Sequence, residues 1–191
     1  MYYFDSKKTF SSYEFGKQLF RLISEEKRRE QPLIFLCIGS DRATGDSLGP
    51  IIGYKLKKRR YSSFLVYGTL DQPVHAKNLE DILQEIHREY ISPYIVAIDA
   101  SLGKASHIGF FTLGQGTLKP GAGVGKELPD VGNLFITGIV NLSGLFEHTL
   151  LQTTRLQVVM TLADNICSGI FYCIAKLEQP HAAYQLGQTV L

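Results

Sequence analysis

Two aspartates occupy the positions in this sequence from which a side chain is best placed to act on a substrate. Asp46 lies in the loop after the apolar run 33–38, and Asp99 directly follows a second apolar run, 94–98. Two acids held close together can activate water, transfer a proton or bind a metal ion. Each also has a structural alternative, since Asp46 could cap the next helix and Asp99 could accept hydrogen bonds from its own loop.

The two apolar runs predict the elements that would position these acids. Short, continuously apolar runs are typical of strands buried on both faces of a parallel sheet. Such sheets bind ligands beyond the carboxyl ends of their strands, so we expect Asp46 and Asp99 to face one cleft there. Pro50 must belong to a first helical turn, which places Asp46 at a helix N-terminus and predicts a lowered pKa. Asp99, more buried and near a second acid, is expected to have a raised pKa.

Strands and helices alternate along the chain, which predicts a single α/β domain over residues 1–191, built as a three-layer αβα sandwich. Ser11 and Glu14 match a capping box at the start of the first predicted helix, which should end near Arg29. Further helices are predicted from Pro50 to about 59, over 78–90 and over 155–176. Strands are predicted at 33–38, 64–67, 94–98, 108–113 and 134–139.

Composition narrows the class of protein. The 191 residues are 45% hydrophobic and 20% charged, with a net charge of +2, which is typical of a soluble globular protein and gives no reason to expect nucleic-acid binding. Three cysteines in apolar stretches predict buried, reduced thiols in a cytoplasmic compartment. The N-terminus does not have the pattern of a signal peptide.

The segment 156–175 is apolar enough to be mistaken for a membrane span. Polar residues at 157, 161, 164, 165 and 168 recur at helical spacing and form one stripe. An ionisable Asp164 would be costly at the centre of a bilayer. The pattern therefore predicts a core helix and no membrane partner.

The glycine loop and the histidines do not match established phosphate-binding or metal-binding motifs. The glycine loop 120–126 lacks the Ser or Thr that follows Gly-Lys in a phosphate loop, so a loop of unusual backbone geometry is the favoured interpretation. Its N–H groups could still face a peptide or an oxyanion. The five histidines, at 75, 87, 107, 148 and 181, show no metal-ligand spacing and are interpreted as surface or supporting residues.

Three segments carry a family resemblance: CIGSDRATGDSLGP (37–50), AIDASLG (97–103) and PGAGVGK (120–126). Together they resemble the sporulation protein YyaC family of spore-forming Firmicutes. That family is similar to the spore germination protease and to the hydrogenase maturation endopeptidases. The resemblance implies a phosphorylase/hydrolase-like α/β fold.

The resemblance also implies roles for particular residues. The proposed catalytic aspartates of the germination protease match Asp46 and Asp99, and so do the nickel-binding acids of the maturation enzymes. Gly121, Gly123 and Gly125 match the glycine loop of the germination protease, which implies a substrate-binding role. The metal-binding histidine of the maturation enzymes has no clear match here.

We therefore expect a sporulation-associated endopeptidase that acts on a protein or peptide in the cytoplasm of the spore or forespore. Asp46 would be the base or water ligand and Asp99 the proton donor, or the reverse. The alternatives are a catalytically silent peptide-binding adaptor and a metal-dependent peptidase with a third ligand such as Asp41 or a histidine. No cofactor is assigned; a metal, if bound, would be held by Asp46 and Asp99.

Overall fold

The computed structural model describes residues 1–59, 62–120 and 128–179. Within these ranges the chain forms one six-stranded sheet with the strand order β1-β5-β6-β4-β2-β3. Strands β2, β3, β4 and β6 are parallel, β5 runs antiparallel to β6, and β1 runs antiparallel to β5. The strands are β1 (Tyr2–Asp5), β2 (Leu33–Cys37), β3 (Leu65–Tyr67), β4 (Tyr94–Gly103), β5 (Phe110–Gln115) and β6 (Leu134–Leu142).

Helices cover both faces of the sheet. The described helices are α1 (Ser11–Glu26), α2 (Leu48–Lys58), α3 (Leu79–Glu89), α4 (Glu147–Gln152) and α5 (Leu156–Leu177). Apolar residues of α1, α2 and α5 pack on the face that contains Phe35 and Val96. Leu79 and Ile86 of α3 pack on the opposite face. Because side chains alternate along each strand, both faces are apolar and both need a helical layer. The predicted α/β class and three-layer sandwich are confirmed.

The chain leaves β2 and β4 in opposite directions. From β2 it runs through α2 to β3 at one edge, whereas from β4 it runs to β5 and β6 on the other side. A crevice opens at such a point in an open α/β sheet, outside the carboxyl ends of the two strands. The segments that contain Asp46 and Asp99 both lie at this end of the sheet.

The first helix and the edge strand differ from the sequence prediction. Helix α1 begins at Ser11 rather than after it, and the Ser11 hydroxyl donates to the Asp5 carbonyl (2.5 Å) instead of capping. The helix ends at Glu26, three residues before the predicted end. Strand β1 was not predicted; it has four residues, of which Phe4 is buried. Because the Ser11 hydroxyl bonds to the Asp5 carbonyl of β1, it does not cap α1, and the predicted capping box is wrong.

Among the described helices, α5 alone has the length and apolar composition that would allow it to cross a membrane. In the fold it packs against α1 and α2, and half of its most apolar window is buried. The polar stripe meets partners there: Asp164 pairs with Lys55 (2.8 Å), and Asn165 accepts a hydrogen bond from Ser12 (2.7 Å). This packing favours a core helix.

Candidate functional site

The loop after β2 holds Asp46 through backbone contacts on two sides. Gly39 donates to the Val74 carbonyl (2.8 Å), and Ser40 donates to the Asp46 carbonyl (3.1 Å). Gly39 has a φ of +138°, and a Cβ at this position would overlap the Asp46 carbonyl oxygen. Only glycine suits this conformation and close approach. The loop then forms the 3₁₀ turn Gly45–Ser47, with Asp46 at its centre.

The environment of Asp46 raises its pKa. Burial is the main cause, because a carboxylate loses solvation there. A backbone hydrogen bond from Ser40 and the charges of His75 and His148 act in the opposite direction. The predicted lowering of this pKa is wrong: Ser47, not Asp46, directly precedes α2, and desolvation outweighs any effect of the helix N-terminus.

Asp99 lies inside β4 rather than after its end, which corrects the predicted strand boundary. It pairs with Thr137 of β6 and is only 7% exposed. Its Oδ1 accepts a hydrogen bond from the Ala100 N–H (2.8 Å). The pairing of β2 with β4 ends one residue earlier, at Cys37 and Ile98. Asp99 is therefore the first β4 residue beyond the carboxyl end of β2. The raised pKa expected for it stays a prediction.

The segments that carry the two acids meet at the crevice. The 3₁₀ turn Gly45–Ser47 packs against β4, α4 and α5. Side chains alternate between the two faces along a strand, so Asp99 is on the same face of the sheet as Ile95 and Ala97. The side chains of Ile95 and Ala97 pack on the face covered by α3. That face also receives Val74, the residue bonded to the Asp46 loop. The third predicted part of the site, Gly121, Gly123 and Gly125, lies outside the described residues.

Two histidines lie near Asp46, although the sequence pattern indicates no more than a surface or supporting role for them. His75 follows β3, and His148 lies in α4 after β6; both interact electrostatically with the Asp46 carboxyl. They are distant from Asp46 in sequence, and neither belongs to a motif. The available signal was topological, because loops after parallel strands converge at one edge of the sheet.

The described residues do not provide the donor set of a metal centre. Within 1–59, 62–120 and 128–179, there is no group of three or more His, Cys, Asp or Glu side chains that could hold a metal ion. Asp41, the suggested third ligand, is exposed to solvent. The nickel site implied by the family resemblance therefore does not fit these residues, and we assign no catalytic step to a metal.

The cysteines are free and buried, as predicted. Burial raises the pKa of the Cys37 thiol well above its ordinary value, and it raises those of Cys167 and Cys173 to about 12. A thiol must ionise to act as a nucleophile. These three groups are thus poorly suited to attack a substrate.

The raised pKa of Asp46 predicts a pH-dependent effect on stability. The folded state holds the Asp46 proton more tightly than the unfolded state, so the stabilising contribution is complete below pH ~3.9 and is lost as the pH rises through the folded-state pKa. Asp46→Asn should therefore melt at a higher temperature than the natural protein at pH 7. The difference should disappear toward pH 3. Thermal denaturation at both pH values, with exposed Asp41→Asn as the control, checks this; an Asp46→Asn variant that is less stable at pH 7 contradicts it.

Comparison with known proteins identifies the family. Residues 3–169 match the model of the family described as "Protein of unknown function (DUF1256)". The chain belongs to this family. It is 48% identical over 157 residues to "Uncharacterized protein YyaC" of Bacillus subtilis (strain 168), across 81% of this chain and 77% of that protein. The resemblance to the YyaC family is thus confirmed.

A solved structure has a similar chain path. It is the crystal structure of a [NiFe] hydrogenase maturation protease HycI from Thermococcus kodakarensis KOD1. The TM-score is 0.47 and the identity 13%, and the alignment covers 81% of this chain and 99% of that chain. At this level of likeness, no residue role transfers from one protein to the other.

Proposed function

We propose that this protein is a peptidase that cleaves a spore or sporulation protein by means of Asp46 and Asp99. The main support is that the segments carrying these acids meet: the Asp46 turn packs against β4, the strand that contains Asp99, at the crevice between β2 and β4. Ligands bind at this position in open α/β sheets. Acids with perturbed environments are concentrated in active sites.

Each acid has a distinct part in the proposed reaction. The ionised Asp46 accepts a proton from a water molecule while the water oxygen bonds to the carbonyl carbon of the peptide. Asp99, protonated at the start, gives its proton to the nitrogen as the C–N bond breaks. The raised pKa of Asp46 makes its ionised form a stronger base than an ordinary aspartate, but it suits a proton donor equally, so the reverse assignment is kept as the alternative.

An exposed apolar loop beside the acids suits a peptide substrate. Leu145 is 85% exposed and Phe146 is 80% exposed, in the loop between β6 and α4. Helix α4 packs directly on the turn that contains Asp46. Phe146 also has a φ of +66°, which is strained for a bulky residue and typical of functional segments. Exposed apolar side chains at this position would bind those of an extended peptide.

The cellular setting of the proposal comes from the motif resemblance to a sporulation family. We place the protein in the cytoplasm of the spore or forespore, without a nucleic-acid or membrane partner. The three free cysteines agree with a reducing compartment.

Cleavage of a proteome-derived peptide library tests the proposed function. The purified protein is incubated with the library, with and without EDTA, and new peptide termini are identified by mass spectrometry. The paired-acid peptidase should generate new termini equally in both samples. Loss of cleavage with EDTA, restored by added metal, would establish the metal-dependent peptidase instead. Peptides retained by the protein but left uncut would establish the adaptor.

A further inference from the structure

Helices α1 and α5 each carry a stripe of aromatic and basic side chains outside the core. On α1, Tyr13, Lys17 and Arg21 recur every four residues and therefore lie on one face of the helix. On α5, Tyr172 and Lys176 have the same spacing. None of the five belongs to the buried core, so packing of the sheet does not explain these stripes.

A groove of about 570 Å³ lies between the two stripes and is lined by residues of α1 and α5. The fold sets the distance between its walls. The helices pack so closely that a Cβ at Gly16 would overlap the carbonyl oxygen of Gly169. The rings of Tyr13 and Tyr172 also meet edge to face across the two helices, with centroids 5.0 Å apart. The groove is therefore a fixed feature of the helical layer.

The lining of the groove is positively charged. It contains three cations, Lys17, Arg21 and Lys176, and one acid, Glu14. Arg21 lies 3.9 Å from Glu25, but both side chains are more than half exposed, and such a pair is weak. In the part of the chain that the structure describes, neither lysine forms a salt bridge. The groove thus has cationic groups that the fold does not neutralise.

Aromatic rings hold the two lysines in place. The Lys17 Nζ lies 5.6 Å from the centroid of the Tyr13 ring, and the Lys176 Nζ lies 5.9 Å from that of Tyr172. A cation–π contact positions an ammonium group without cancelling its charge, as a carboxylate would. Both ammonium groups therefore remain able to pair with an acid from another molecule.

We propose that this groove binds an acidic segment of a partner protein. Its carboxylates would pair with the three cations, and an apolar side chain would pack against Phe20 and Tyr172, which also line the groove. A nucleic acid would require a longer basic surface, and the whole chain has a net charge of only +2. The inference is independent of the proposed peptidase activity, because no residue lining the groove belongs to the candidate site.

Selection from a soluble random peptide library tests this inference. Immobilised full-length protein should retain peptides enriched in Asp and Glu together with an apolar residue. The most strongly retained peptide is resynthesised, and its Kd is measured by fluorescence anisotropy. The triple variant Lys17→Gln, Arg21→Gln, Lys176→Gln should bind it at least about tenfold more weakly, since three exposed ion pairs are lost. Peptides held by the groove differ from those held at the crevice because only the former are lost from this variant.

A second triple variant, Lys77→Gln, Arg88→Gln, Lys104→Gln, is the matched control. It removes the same charge from exposed positions outside the groove and should bind the peptide like the natural protein. If the first triple variant does not fold, Lys176→Gln alone should still weaken binding, by up to about fivefold.

Several outcomes would overturn the inference. Retained peptides without acidic enrichment, or an equal loss of affinity in the control variant, would show that the groove does not recognise acidic segments. Self-association, or capture of duplex DNA or phosphatidylglycerol vesicles, that the groove substitutions abolish while no acidic peptide binds would assign the groove to a different partner.

Discussion

Asp46→Asn and Asp99→Asn are each expected to reduce kcat for peptide cleavage by at least about 100-fold, the usual contribution of general acid–base catalysis. Asparagine keeps the size and the hydrogen-bonding oxygen of aspartate but cannot accept or release the proton. At Asp99, the amide oxygen can still accept the bond from the Ala100 N–H. The loss should therefore appear in catalysis while the fold is kept. Initial rates on a peptide identified from the library measure it.

The cleavage rate of the double variant tests whether the two acids act together. Residues that act as one unit are not additive, so Asp46→Asn combined with Asp99→Asn should be hardly slower than either single variant. Asp41→Asn is the matched control, because Asp41 lies in the same loop but is exposed. Its rate should equal that of the natural protein. Single losses that multiply in the double variant would show that the acids act independently, and undiminished cleavage by either single variant would refute the paired mechanism.

Much of the sheet could be predicted because its central strands are buried on both faces. The runs around Phe35 and Val96 are continuously apolar, and few other elements can accommodate such a pattern. Edge strand β1 could not be found in this way, since Phe4 is its single buried residue. The end of β4 was misplaced because the strand continues through polar residues that pair with β6.

The candidate site was predicted in part for the same reason. Asp46 and Asp99 could be proposed from the sequence because each follows a recognisable apolar run. His75 and His148 could not be found from spacing, since their relation to Asp46 exists only in the folded chain. The sequence predicts the wrong direction for the Asp46 pKa because a helix position can be predicted from sequence, whereas the burial of a loop residue cannot.

The substitution expected to reduce stability most is one at Gly49, because this glycine allows α2 to approach the sheet closely. A Cβ at Gly49 would overlap the carbonyl oxygen of Ile38, directly after β2. That oxygen belongs to the backbone and cannot turn aside as a flexible side chain would. A Cβ at Gly53, one turn further along α2, would likewise overlap the carbonyl oxygen of Gly68. Two glycines on one helix face therefore allow α2 to pack directly on strand-end backbone.

Gly49→Ala should accordingly destabilise the fold by about 3 kcal/mol, at the upper end for overpacking of a core. Helix α2 would have to move away from the sheet, and the turn that holds Asp46 would move with it because it leads directly into this helix. Urea denaturation should show a lower midpoint with an unchanged slope. Lys57→Ala, on the exposed face of the same helix, is the control and should change stability by no more than about 0.5 kcal/mol. A Gly49→Ala variant as stable as the natural protein would mean that α2 does not pack this closely on β2, and that the position of Asp46 depends on other contacts.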